Sequence, residues 1–124
     1  MKYKISVEKN FSSAHCLRGY KGKCENLHGH NWKIRAVFCG TKLDDIGMLI
    51  DFTDIKMYLN KIIEFLDHKF LNEICPFDRV NPTSENIALF ILKQLKCTET
   101  ENAKICEVEV WESDSSSAAI IIED

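Results

Sequence analysis

Proline and glycine are scarce. Two prolines and five glycines among 124 residues are too few for a collagen-like or linker-rich chain, and no low-complexity tract or internal repeat divides the sequence. Long apolar runs are missing too. The start, Met1-Lys2-Tyr3-Lys4-Ile5-Ser6-Val7-Glu8, alternates polar with apolar residues, so it reads neither as a signal peptide nor as a membrane span, and a soluble cytoplasmic protein is expected. There is no basic excess: 16 Lys and Arg stand against 19 Asp and Glu, a net charge of −3, which gives no general attraction to nucleic acid or anionic membrane. The six cysteines form no CxxC pair. Reduced thiols are therefore expected, with Cys39 and Cys106 packing as small hydrophobes inside apolar segments. Histidine is also rare, and three of the four, His15, His28 and His30, fall within a short stretch.

What remains is ordinary globular composition, 45% hydrophobic and 28% charged, and one domain over residues 1–124 is expected. Tyr3, Ile5 and Val7 share one parity, and the same count carries Phe11, Ser13 and His15 to the same face of a strand. His30, Trp32, Ile34, Ala36 and Phe38 line one face of a second strand. From Asp51, a candidate N-cap, the spacing of Phe52, Ile55, Leu59, Ile62, Ile63 and Leu66 predicts a helix to about Asp67. Pro82-Thr83-Ser84-Glu85-Asn86 supplies a capping hydroxyl and an early acid for a second helix bearing Ala88, Ile91, Leu92 and Leu95. Alternation returns over Cys106–Glu112 and, after a turn at Ser115-Ser116-Ser117, over Ala118–Ile122. The order ββααββ points to an α+β fold, a four-stranded antiparallel sheet with both helices on one face. Its open edges predict a homo-oligomer.

The chemistry concentrates around His28-Gly29-His30. On a strand, residues two apart point to one side, so both imidazoles can reach one ion, and a hairpin would bring His15 opposite them. Three neutral imidazoles with an open fourth position describe a catalytic zinc site; a lone HGH tripeptide is equally compatible with a metal-free surface. Cys24 stands in the cationic loop Arg18-Gly19-Tyr20-Lys21-Gly22-Lys23, where nearby lysines and a dication favour thiolate, making it either a base or a fourth, site-closing ligand. Asp67 beside His68 is either a proton relay or a solvated helix end. Glu112 carries a carboxylate on the parity of Val108 and Val110. It is either a bidentate acceptor for a guanidine-like edge or an exposed strand end. A Cys-His hydrolase with Cys24 as nucleophile is a further reading, for which no acyl-transfer signature is present.

Six segments, FSSAH at 11–15, CENLHGH at 24–30, GMLIDF at 47–52, LDHKFLN at 66–72, PTSEN at 82–86 and VEVWE at 108–112, together resemble the 6-pyruvoyl-tetrahydropterin and 6-carboxy-tetrahydropterin synthase family. The resemblance implies the tunnelling fold (T-fold), in which subunits join their sheets into a barrel and rings stack into a hexamer of two trimers. It implies a lyase acting on 7,8-dihydroneopterin triphosphate, with zinc on His15, His28 and His30, Cys24 as proton acceptor, Asp67 and His68 as relay, and Glu112 as pterin anchor. The product would be a 6-carboxy- or 6-pyruvoyl-tetrahydropterin, of queuosine or tetrahydrobiopterin biosynthesis. Glu25 departs from the simplest pattern. In a related branch a glutamate near this position replaces the cysteine, and the side chain is cleaved to 6-hydroxymethyl-7,8-dihydropterin for folate synthesis; this chain carries both residues. A non-catalytic zinc- or pterin-binding module is the alternative outside catalysis.

Overall fold

The computed structural model describes residues 1–19 and 26–123; Cys24, Glu25, Lys21 and Lys23 lie outside them. Strands β1 (Tyr3–His15) and β2 (His28–Gly40) pair antiparallel along their whole length, from Tyr3 opposite Gly40 to His15 opposite His28. Helices α1 (Phe52–Leu66) and α2 (Ser84–Lys96) follow, separated by a single 3-10 turn at Leu71–Glu73. Strands β3 (Lys104–Ser113) and β4 (Ser116–Ile121) complete an antiparallel sheet of order β1-β2-β3-β4. No helix among the described residues is long and apolar enough to cross a membrane.

Local signals explain these elements. The Asp51 carboxylate accepts from the Thr53 N–H at 2.8 Å and Thr83 Oγ1 accepts from the Asn86 N–H at 3.1 Å, each satisfying a donor that a helix start leaves unpaired. Helix α1 buries Ile55, Leu59, Ile62 and Leu66, α2 buries Ile87, Ala88, Ile91, Leu92 and Leu95, and both faces lie on Trp32, Ile34, Ala36, Phe38, Val108 and Val110. Each fully buried Ile or Leu contributes roughly 1.5–3 kcal/mol. Phe52 is an exception to the expected apolar stripe, being exposed at the first turn.

Three expectations are corrected. Cys39 and Cys106 are joined as a disulfide across β2 and β3, with Cα atoms 6.1 Å apart. The pairing register shifts between Val37 and Phe38, leaving Cys106 as the inserted residue of a bulge beside Lys104, the partner of Cys39. That inserted residue brings the thiols together, and strand parity alone does not show it. The final turn contains only Asp114 and Ser115, so Ser116 and Ser117 already belong to β4. Finally, part of the β1 edge is covered from within. Ala14 bridges Phe70 in parallel and donates to the Lys69 carbonyl at 2.9 Å. Ser13 Oγ bonds the Leu66 carbonyl and accepts from the Lys69 N–H at 3.1 Å.

Candidate metal centre and proton relay

The end of the β1–β2 hairpin carries the site. Because His15 is paired with His28 and His30 lies two residues on, the three imidazoles share the helix-side face. His15 Nε2 lies 3.0 Å from His28 Nε2. Glu112, which reaches the same face from β3, places Oε1 3.5 Å from His30 Nε2 and Oε2 3.7 Å from His15 Nε2. One ligand atom from each of these four residues lies within 4.8 Å of all the others.

The second-sphere bonds define what faces inward. His15 Nδ1 bonds the Pro82 carbonyl at 2.7 Å and His28 Nδ1 bonds the Asn26 carbonyl at 2.7 Å. A carbonyl only accepts, so each Nδ1 carries the proton and each Nε2 presents a bare lone pair. His30 Nε2 is buried with no hydrogen-bond partner. Burial lowers the His15 pKa from its ordinary value, with the neighbouring His28 and His30 pushing the same way against the Pro82 carbonyl and Glu112. His15 is therefore neutral at pH 7. Converging lone pairs and a carboxylate repel one another unless a cation lies between them. Zinc at about 2.0–2.1 Å from nitrogen or oxygen sets tetrahedral ligand atoms roughly 3.3 Å apart, and the observed 3.0, 3.5 and 3.7 Å bracket that edge. The donor set fits a zinc-like ion.

Trp32 forms the floor. Its ring meets those of His15 and His30 edge-on, at centroid distances of 5.0 and 5.3 Å, and its Nε1–H is held by the Ser13 carbonyl at 3.1 Å. By strand parity alone Trp32 reads as a core residue; its position two residues beyond His30 on the same face is the signal that it borders the histidines.

Asp67 and His68 do form a pair. Asp67 Oδ2 lies 2.9 Å from His68 Nδ1, while Asp67 Oδ1 accepts from the Ser12 N–H at 2.8 Å. That backbone bond, aided by His68 against some desolvation, holds the Asp67 carboxyl below the usual carboxylate range. It stays ionised and keeps the proton on His68 Nδ1. His68 has φ 55°, a left-handed conformation that a non-glycine residue adopts at a cost, and its N–H is tied to the Ser12 carbonyl at 2.6 Å. His30 and His68 both line one open cavity of about 530 Å³, together with Ser12, Ser13 and Ala14.

The chain matches the family described as 6-pyruvoyl tetrahydropterin synthase over residues 4–122. It belongs to that family. A Haemophilus influenzae 6-carboxy-5,6,7,8-tetrahydropterin synthase is 32% identical, covering 92% of this chain and 95% of that protein. A dihydroneopterin monophosphate aldolase of Pyrococcus furiosus is 31% identical, covering 90% and 91%. The structure of Caenorhabditis elegans 6-pyruvoyl tetrahydropterin synthase superimposes with a TM-score of 0.86 at 24% identity, over 99% of this chain and 97% of that one. The fold is thus the T-fold, and the family is one of pterin-processing enzymes.

Two asparagines complete the site's frame and were not singled out from sequence. Asn72 accepts from the Cys16 N–H at 3.0 Å and donates to the Cys16 carbonyl at 2.8 Å; Asn81 does the same for Arg18, at 2.9 and 2.7 Å. Each amide replaces a missing strand neighbour, so the chain leaving His15 is pinned beside Pro82. Asparagine carries a donor and an acceptor on one planar group, but nothing in the sequence marks which backbone it clamps.

Proposed function

We propose that the protein is a zinc-dependent lyase that converts 7,8-dihydroneopterin triphosphate to a 6-carboxy- or 6-pyruvoyl-tetrahydropterin with loss of triphosphate, working as a homohexamer of single-domain subunits. The observation that carries the metal part is the convergence of the His15, His28 and His30 Nε2 atoms beside Glu112, with two Nδ1 protons committed to carbonyls. When bound there, zinc supplies a Lewis acid that polarises substrate oxygens and lowers the cost of removing nearby protons.

The chain's own groups supply the rest. His68 takes or returns a proton at Nε2, since its Nδ1 is occupied by Asp67, and the low pKa of Asp67 keeps the imidazole in that tautomer. Cys24 acts as the second proton acceptor, and Glu112 accepts the paired N–H groups of the pterin edge. Lys69 and Phe70 line the same cavity as His68. The oligomer is supported by the uncovered part of β1 toward Tyr3 and by β4, which ends the sheet.

A second reading, cleavage of the side chain to 6-hydroxymethyl-7,8-dihydropterin, is favoured by the adjacent Cys24 and Glu25 and by the name of the Pyrococcus furiosus relative. Thiolate and carboxylate differ in reach and basicity, so the two residues can serve two proton routes. Zinc-loaded protein incubated with dihydroneopterin triphosphate, its products identified by mass, tests both. Wild type is expected to release triphosphate and a tetrahydropterin, Cys24→Ala to lose that product, and Glu25→Ala to lose any hydroxymethyl product. Absence of turnover by the metal-loaded wild type would sink the proposal.

A further inference from the structure

A hydroxyl buried on the core face of a strand needs partners. Ser13 lies between Phe11 and His15 on that face of β1 and is 6% exposed. Its Oγ donates to the Leu66 carbonyl and accepts from the Lys69 N–H at 3.1 Å. Those two groups stand immediately before and after Asp67-His68. Regular structure does not satisfy the first of them: Leu66 ends α1, and Asp67 turns away with an extended ψ of 140°, so the last carbonyl of the helix has no N–H one turn further on. The main chain of the same residue serves the other half of the site, since the Ser13 carbonyl accepts from Trp32 Nε1–H at 3.1 Å.

His68 needs such a hold. Its backbone is left-handed, with φ 55°, a region that a residue bearing a Cβ leaves unless its surroundings prevent it. Its side chain is 82% exposed, so packing does little to aim the imidazole, and its direction is set by the backbone and by Asp67 Oδ2 at 2.9 Å. The Ser12 main chain takes the His68 N–H and the Asp67 carboxylate, but neither bond fixes the peptide that follows His68. We infer that Ser13 is a positioning residue for the relay: its hydroxyl bridges the peptide groups before and after Asp67-His68 and so holds His68 left-handed, with Nδ1 on Asp67. This rests on the relay reading given under Proposed function and adds the residue that enforces it. A hydroxyl suits the task. It has one donor and two acceptor lone pairs, so it serves a carbonyl and an N–H at once, and it carries no charge to compete with Asp67 for the imidazole. The effect is selective: the side chain of Ser13 serves the relay and its carbonyl serves Trp32, so loss of the hydroxyl alone loosens the first and spares the second.

The test reads the imidazole itself and needs no turnover. Zinc-loaded protein labelled with nitrogen-15 histidine is measured by solid-state NMR at about pH 8.5, above the ordinary histidine pKa, with His68→Asn to identify the His68 signals. Wild type is expected to show His68 as a single tautomer, protonated at Nδ1. Ser13→Ala is expected to show both tautomers at His68 and unchanged signals from His15, His28 and His30. Hydrogen exchange of segment 67–70 in that variant should be faster by roughly tenfold or more. Ser13→Cys, close in shape but a weak donor and acceptor, is expected to move the same way. Ser13→Thr, which retains the hydroxyl, is expected to restore the single tautomer and the protection. Val7→Ala, a buried change on the same face of β1 toward its other end, is expected to lower stability without altering His68. A wild-type His68 tautomer in Ser13→Ala and Ser13→Cys would overturn the inference and leave the relay reading standing, as would an equal disturbance of His68 by Val7→Ala. A wild type that lacks the Nδ1-protonated tautomer would overturn both.

Discussion

Ser12 and Asp67 are joined twice: the Ser12 N–H donates to Asp67 Oδ1 at 2.8 Å, and the Ser12 carbonyl accepts from the neighbouring His68 N–H at 2.6 Å. A strand residue therefore fixes both the carboxylate and the backbone of the histidine it orients. The Asp67 carboxyl is held below its ordinary value, chiefly by the Ser12 N–H. A depressed folded-state pKa contributes stability that is present above the unfolded value and is lost as pH falls through the folded one. Asp67→Asn, which keeps an acceptor for Ser12 but no charge, should be less stable than wild type at pH 7. In urea denaturation at a series of pH values, the gap should be flat down to about pH 4 and close below it. A gap unchanged at pH 3 would show that the charge contributes nothing.

A second expectation concerns metal. Zinc bound only by the native state should raise thermal stability by about 2.7 kcal/mol at free zinc near 100 times its Kd. For a chain of this size that is on the order of 10 °C in Tm. His30→Ala, which removes the Nε2 that is buried without a partner, should lose most of this increment while its metal-free Tm changes little or rises. Calorimetry with and without chelator reads both. An equal zinc increment in wild type and His30→Ala would remove His30 from the ligand set.

How far the sequence reaches depends on whether a feature is periodic. The four strands, both helices and their caps at Asp51 and Thr83 are legible because parity, helical spacing and capping chemistry are local. The same parity puts His15 of β1, His28 and His30 of β2 and Glu112 of β3 on one face, since residues along three strands need only be counted. Three features needed the fold. Asn72 and Asn81 act on backbone 56 and 63 residues away, and no local pattern encodes such a pairing. Nor does periodicity show the left-handed φ of His68, which comes from docking Leu66–Phe70 along β1. The Cys39–Cys106 pair depends on one inserted residue, and an insertion is the feature that counting parity cannot contain.

The asparagine clamps yield a third prediction. Asn81 satisfies both the N–H and the carbonyl of Arg18, and its own carbonyl accepts from Asn86 Nδ2 at 2.9 Å. Asn81→Ala leaves two half-buried backbone groups without these partners, which should cost about 1–3 kcal/mol. Asn81→Asp, which keeps the acceptor and loses the donor, should cost less than Asn81→Ala in chemical denaturation at pH 7. Because Pro82, the next residue, holds His15 Nδ1, the alanine variant should also weaken zinc binding. Unaltered zinc affinity in a measurably destabilised Asn81→Ala would separate the clamp from the metal centre.

The disulfide gives the last test, because it opposes the expectation of reduced thiols drawn from the sequence. Cys39 and Cys106 are 67 residues apart and cross-link neighbouring strands, so the closed loop contains both helices. In the chain-entropy account, closing a loop of that length restricts the unfolded ensemble enough to add roughly 2–4 kcal/mol to stability. Alkylation of denatured, non-reduced protein should label Cys75 and Cys97, which are free thiols, and should reach Cys39 and Cys106 only after reductant is added. Peptide mapping reads each site separately. The double variant Cys39→Ser with Cys106→Ser should unfold at lower denaturant than oxidised wild type and match reduced wild type more closely. The histidine cluster lies at the other end of β2, where His28 and His30 begin the strand and Cys39 nearly ends it. The bond should therefore set the stability of the sheet and leave zinc affinity unchanged. Labelling of Cys39 and Cys106 without reductant would show that the protein as isolated carries two thiols there.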